Sequence, residues 1–143
     1  MIATDPYHLQ RFVEAQDFCY AQVHSELAAG QKRTHWMWFV FPQIQGLGSS
    51  GMAQRFAISG IEEARAYLAH PLLGSRLREC TRLVIAVSGR AIDDIFGYPD
   101  DLKFHSSVTL FARAADGPSV FAEALSKYFN GVPDQATLDR LHG

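Results

Sequence analysis

Two short stretches of this chain concentrate the side chains able to do chemistry. The first is Lys32-Arg33-Thr34-His35-Trp36-Met37-Trp38-Phe39-Val40-Phe41-Pro42-Gln43, with two cations and a histidine before both tryptophans and a Pro-Gln after them. A helix capped by Thr34 and ended by Pro42 would put the cations at its N-terminus, where free N–H groups and the dipole favour an anion. Indole and phenyl faces stack planar rings at about 1–3 kcal/mol per stack. The Gln43 amide can read a polar edge. In this reading Trp36 or Trp38 stacks a ring and Lys32 stabilises negative charge. His35, whose ordinary pKa lies near neutrality, serves as general acid or base. The same aromatic mass also reads as core or as a protein interface, since a free surface does not carry so much apolar area.

The second stretch is Lys103-Phe104-His105-Ser106-Ser107-Val108-Thr109. On a helix, Lys103, Ser106 and Ser107 fall at i, i+3 and i+4, so a cation and two hydroxyls share a face. That face suits a phosphate or carboxylate, with Lys103 stabilising charge and Ser106 a candidate nucleophile. Serines inside helices also bond back to the preceding turn. His70, before Pro71, reads as a helix cap that sits near the site. Asp93-Asp94 and Asp100-Asp101 read as caps or solvated turns, Asp101 being close enough in sequence to Lys103 to join it.

Several chemistries are excluded by spacing. There is no H-x-x-x-H, no H-E-x-x-H and no cysteine pair of metal-site spacing, so neither a metal nor a cofactor is expected. The glycines at 46, 48 and 51 match neither a Walker loop nor a dinucleotide fingerprint, and no nucleophile elbow is present.

The elements that must position these residues read as helices. Asp5 and Pro6 open the first, with Leu9, Phe12, Val13, Cys19, Tyr20, Val23 and Leu27 at helical spacing and Gly30 closing it. Ser59 and Glu62 have capping-box spacing for a helix through Ala69. His70-Pro71 starts another, with Leu72, Leu73, Leu77, Cys80, Thr81, Val84 and Val87 as its buried stripe and Gly89 at its end. A short turn is expected over 91–96. Asp100 or Asp101 caps a helix through Phe111, Asp116-Pro118 open one ending at Gly131, and Asp134 caps a last one. The expected fold is all-α: one domain over 1–143 with six or seven short helices.

Bulk properties bound the partners. At 143 residues and 48% hydrophobic content the chain fills a core without staples. A formal net charge of −2 gives no pull toward nucleic acid or an anionic membrane. No run is long enough to span a bilayer, the N-terminus lacks leader features, and Cys19 and Cys80 read as reduced thiols. A cytoplasmic monomer or small homo-oligomer is expected.

Three stretches also carry a family resemblance: His35 to Gln43, Tyr67-Leu68-Ala69-His70-Pro71-Leu72-Leu73-Gly74-Ser75-Arg76-Leu77, and Lys103 to Phe111. With Gly131-Val132-Pro133-Asp134 further on, they resemble domain of unknown function family 1810, a group of small bacterial and fungal proteins. The resemblance implies a compact, mainly helical fold and supplies no activity. The leading expectation is a pocket that binds a small anionic molecule with a planar ring, a nucleotide or a nicotinamide derivative, with hydrolysis or group transfer as the chemistry if it catalyses. The alternatives are an interaction module built on the tryptophan-rich segment, and a structural or regulatory domain without a ligand.

Overall fold

The computed structural model describes residues 4–142; residues 1–3, part of the leader reading, lie outside it. The described residues form ten helices and no strand: α1 (Gln10–Asp17), α2 (Tyr20–Ala28), α3 (Met37–Val40), α4 (Gly51–Arg55), α5 (Ile61–Ala69), α6 (Leu73–Ala86), α7 (Ile92–Phe96), α8 (Asp100–Ala115), α9 (Val120–Phe129) and α10 (Gln135–His142). The all-α single domain is as expected, but the count exceeds six or seven. The helix expected to run from Asp5 to Gly30 breaks at Phe18-Cys19, where Cys19 leaves the helical region at φ −141°. Asp5 does hold the entry to α1, accepting N–H bonds from Leu9 at 2.8 Å and Gln10 at 3.0 Å.

Helix α8 is the axis. It packs on α5, α9, α7 and α10, and Phe104, Val108, Leu110 and Phe111 are all buried. A helix covered on nearly every side needs no polar face, so Val108-Thr109-Leu110-Phe111 stays helical despite its strand-like composition. Helix α6 packs in turn on α5, α9 and α2. The close approach of α6 to the end of α5 depends on Gly74, because a Cβ there would lie 2.2 Å from the Leu68 carbonyl oxygen.

Local chemistry sets the other boundaries, with some partners different from those expected. Ser59 bonds to Glu63, not Glu62: both the Ser59 N–H and hydroxyl donate to Glu63 Oε1. Glu63 is buried and also pairs with Arg11, whereas Glu62 forms an exposed pair with Arg65. His70 caps α6, its Nδ1 accepting N–H bonds from Leu72 and Leu73. Leu72 itself is exposed, because it precedes the helix rather than lying on its inner stripe. Neither Asp100 nor Asp101 caps α8 through its side chain; Pro99 occupies that position. Ser119 caps α9 by accepting the Ala122 N–H, while Asp116 ends α8 in the left-handed region at φ 53°. Asp134 caps α10 as expected.

Candidate functional site

The aromatic run folds as a single short turn, α3, shorter than the two turns expected, and Trp36 rather than Thr34 stands at its start. The cause lies on α2. Glu26 is 3% exposed, and its carboxylate accepts from the Arg33 N–H (2.6 Å), the Thr34 N–H (3.0 Å), the Thr34 hydroxyl (2.6 Å) and the Trp36 indole N–H (3.0 Å). Thr34 is thereby drawn away from capping. Burial pushes the Glu26 pKa up, but the bonds from Thr34, Arg33 and Gln22 outweigh it and hold the group down at about 2. One buried anion thus orders the whole approach to α3.

This turn is mostly core. Trp36, Met37, Phe39, Val40 and Phe41 are buried, and Phe41 packs edge-to-face on Phe96 and Phe104 at 5.7 and 5.1 Å. Trp36 therefore offers no face to a ligand, and the run supplies no exposed apolar patch for a partner. Trp38 is the exception, being partly exposed.

Lysine positions follow from the packing of that turn on α7 and α8. The Lys32 N–H donates to the Ile95 carbonyl at 2.7 Å, which delivers its side chain to the first turn of α8. Lys32 Nζ lies 2.8 Å from Asp100 Oδ2 and 5.2 Å from the Trp36 ring centroid. Lys103 Nζ lies 3.5 Å from Asp100 Oδ1 and 5.4 Å from the Trp38 ring centroid. Two ammonium groups thus share one carboxylate, and each sits over an indole. The Lys32 side chain is 7% exposed and lies behind the cleft; that of Lys103 is 26% exposed and opens to it.

The cleft has two recesses that meet at Gln43 and Gly48. One, of about 150 Å³, is lined by Trp38, Gln43, Phe56 and the backbone of the glycine loop. The other, of about 330 Å³, is lined by Lys103, Gln43, Leu102, His105, Ser106 and Asp134. Its volume falls at the lower end of the usual ligand range of roughly 300–1,000 Å³. A lone parallel bridge between Ile44 and Ile58 pins the loop, with Gln45 N–H donating to the Ile58 carbonyl and Ile58 N–H to that of Gln43. Asp134, the carboxylate in this lining, is turned into its cap, where Ser106 and Thr137 donate to Oδ2 at 2.9 and 2.6 Å.

The structure thus brings Lys103, Trp38 and Gln43 to one cleft and seats Lys32 behind it. The remaining expected site residues stand elsewhere or are otherwise engaged. The single Ser106 hydroxyl proton lies between Asp134 Oδ2 at 2.9 Å and the Leu102 carbonyl at 3.2 Å, and that carboxylate is committed to the α10 cap through Thr137. Ser107 is fully buried, its hydroxyl without a hydrogen-bond partner, and no ligand reaches it. His70 is consumed as a cap, lining neither recess. His35 is exposed and lines neither recess. Asp101 has one carboxylate oxygen buried without a partner and does not line the cleft. Among the described residues no cluster of three or more His, Cys, Asp or Glu is arranged to hold a metal. Burial pushes the Cys80 thiol up to about 12, so it is no nucleophile.

Asp100 and Glu26 stand outside the set of residues expected at the site. Asp100 was legible in principle as the i, i+3 partner of Lys103. Glu26 carried no signal, since its acceptor role depends on a loop folding back onto α2.

Fold and cleft define a small all-helical, single-domain protein with a cation-and-indole recess. The match to a family model over residues 6–141 shows that the chain belongs to DUF1810, a family described as protein of unknown function. The chain is also similar to the conserved hypothetical protein Rv1873 from Mycobacterium tuberculosis, whose crystal structure it matches with a TM-score of 0.95 and 57% identity, covering 97% of this chain and 99% of that one. A comparison with curated proteins found no match.

Proposed function

We propose that the cleft binds a small anionic molecule carrying a planar ring, of the nucleotide or nicotinamide-derived class. The observation that carries the reading is Lys103 held over the partly exposed face of Trp38, where the two recesses meet at Gln43. The smaller recess offers indole and phenyl surface for a ring, and the Gln43 amide stands at the junction to read its edge. The larger recess offers the Lys103 ammonium for the anionic group. Asp100 keeps that ammonium in place without neutralising the pair of lysines.

Binding is favoured over turnover. Ser106 meets a carboxylate, Asp134, that is committed to capping α10, and His35 lines neither recess, which speaks against hydrolysis or group transfer in the cleft. A thermal-shift screen over nucleotides, nicotinamide derivatives and sugar phosphates tests the reading, because a ligand that binds only the folded state raises its stability by mass action. A specific ligand stabilises the native chain, quenches Trp38 fluorescence, loses both effects in Lys103→Ala and keeps them in Arg113→Ala, an exposed site on the last turn of α8. No stabilisation across the panel, or stabilisation indifferent to Lys103, overturns it.

A further inference from the structure

We propose that a groove remote in character from the cleft, between α5, α6 and the start of α9, is a second anion site that takes a diphosphate group. Arg65 of α5 and Arg78 and Arg82 of α6 line it together with Ser119, Val120 and Phe121, and its volume is about 510 Å³. No carboxylate lines it, which is a marked local excess of positive charge in a chain of net charge −2.

The arginines are placed by packing. Arg78 and Arg82 lie one turn apart on the same face of α6, and the tight α5–α6 contact at Gly74 brings Arg65 alongside. Arg78 gives one hydrogen bond to the Leu68 carbonyl at 3.3 Å, which fixes its guanidinium and leaves its other donors open. Arg78 and Arg82 enter no ion pair among the described residues. Arg65 meets only Glu62, in an exposed i, i+3 pair of the kind that contributes little. At the far wall Ser119 accepts the Ala122 N–H on its hydroxyl and the Glu123 N–H on its carbonyl, so the start of α9 closes the groove with Ser119, Val120 and Phe121.

Planar guanidinium forks match phosphoryl oxygens two at a time, and several of them on one concave surface suit a ligand with more than one phosphoryl group. The groove has no ring to stack on, since Phe121 is 1% exposed. It therefore reads phosphoryl groups without a base, unlike the cleft at Trp38. Free pyrophosphate and the diphosphate of an ester present the same chemistry here.

Calorimetric titration of the full chain with inorganic pyrophosphate, and separately with a nucleoside diphosphate, tests this. Saturable binding of pyrophosphate that weakens about tenfold or more in Arg82→Glu and in Arg65→Gln, and is unchanged in Lys103→Ala, is expected from the loss of a charge-assisted pair. Arg82 is exposed and enters no ion pair among the described residues, so the unliganded variant should unfold at the native temperature. The same dependence with only the nucleoside diphosphate identifies an esterified source. No saturable binding, binding as tight in both arginine variants as in the native chain, or binding lost only in Lys103→Ala overturns the proposal.

Discussion

Lys32 Nζ lies 2.8 Å from Asp100 Oδ2, tying the loop before α3 to the first turn of α8. The lysine side chain is 7% exposed, so the carboxylate compensates a charge that water barely reaches. Asp100→Asn should cost about 1–3 kcal/mol of stability, measured by urea unfolding, because an ammonium is left buried without its counter-charge. The same change releases Lys103, so an anion bound at the cleft should bind more tightly. Opposite signs for stability and affinity are the expected signature; unchanged stability would mean that the pair is solvated.

Glu26 sets a pH dependence. Its folded-state pKa, about 2, lies below the ordinary 4.5, so it contributes stability above the ordinary value. That contribution, roughly 3 kcal/mol from the shift, should fade as pH falls from about 5 toward 2. Asp5, lowered by its N–H bonds to α1, acts in the same direction. Unfolding free energies measured between pH 7 and pH 2 should show the slope, and Glu26→Gln should flatten it while lowering stability at neutral pH.

Ser106 and Lys103 separate structure from binding. Ser106→Ala removes one donor to the Asp134 cap, which keeps Thr137, so it should cost about 1 kcal/mol and leave cleft binding intact. Lys103→Ala should do the reverse, with little effect on unfolding and loss of the anion. Paired denaturation and titration of the two variants check this; loss of binding in Ser106→Ala would return that hydroxyl to the site.

Gly74→Ala places a Cβ 2.2 Å from the Leu68 carbonyl oxygen, a backbone atom that cannot swing aside. Parting α5 from α6 should destabilise the chain by about 2 kcal/mol or more. A shift in the urea midpoint reads it, and Gly51→Ala, where a Cβ meets nothing within 4 Å, should have a far smaller effect.

The sequence by itself determined what depends on neighbours a few residues away. Asp5, His70 and Asp134 cap helices as their positions suggest, and Gly30 ends α2 at φ +75°. Apolar spacing marks α6 and α8 because a helix repeats its inner face every three to four residues. The break at Cys19 was hidden because both sides keep one helical phase. Only the tertiary structure decided which aromatic stays uncovered. Trp36 and Trp38 are chemically alike, yet Glu26 draws one indole inward and Lys103 sits over the other at the cleft. Lys32 finding Asp100, and three arginines lining one groove, depend likewise on how helices distant in sequence pack, a choice fixed by burial across the whole core rather than by any local pattern.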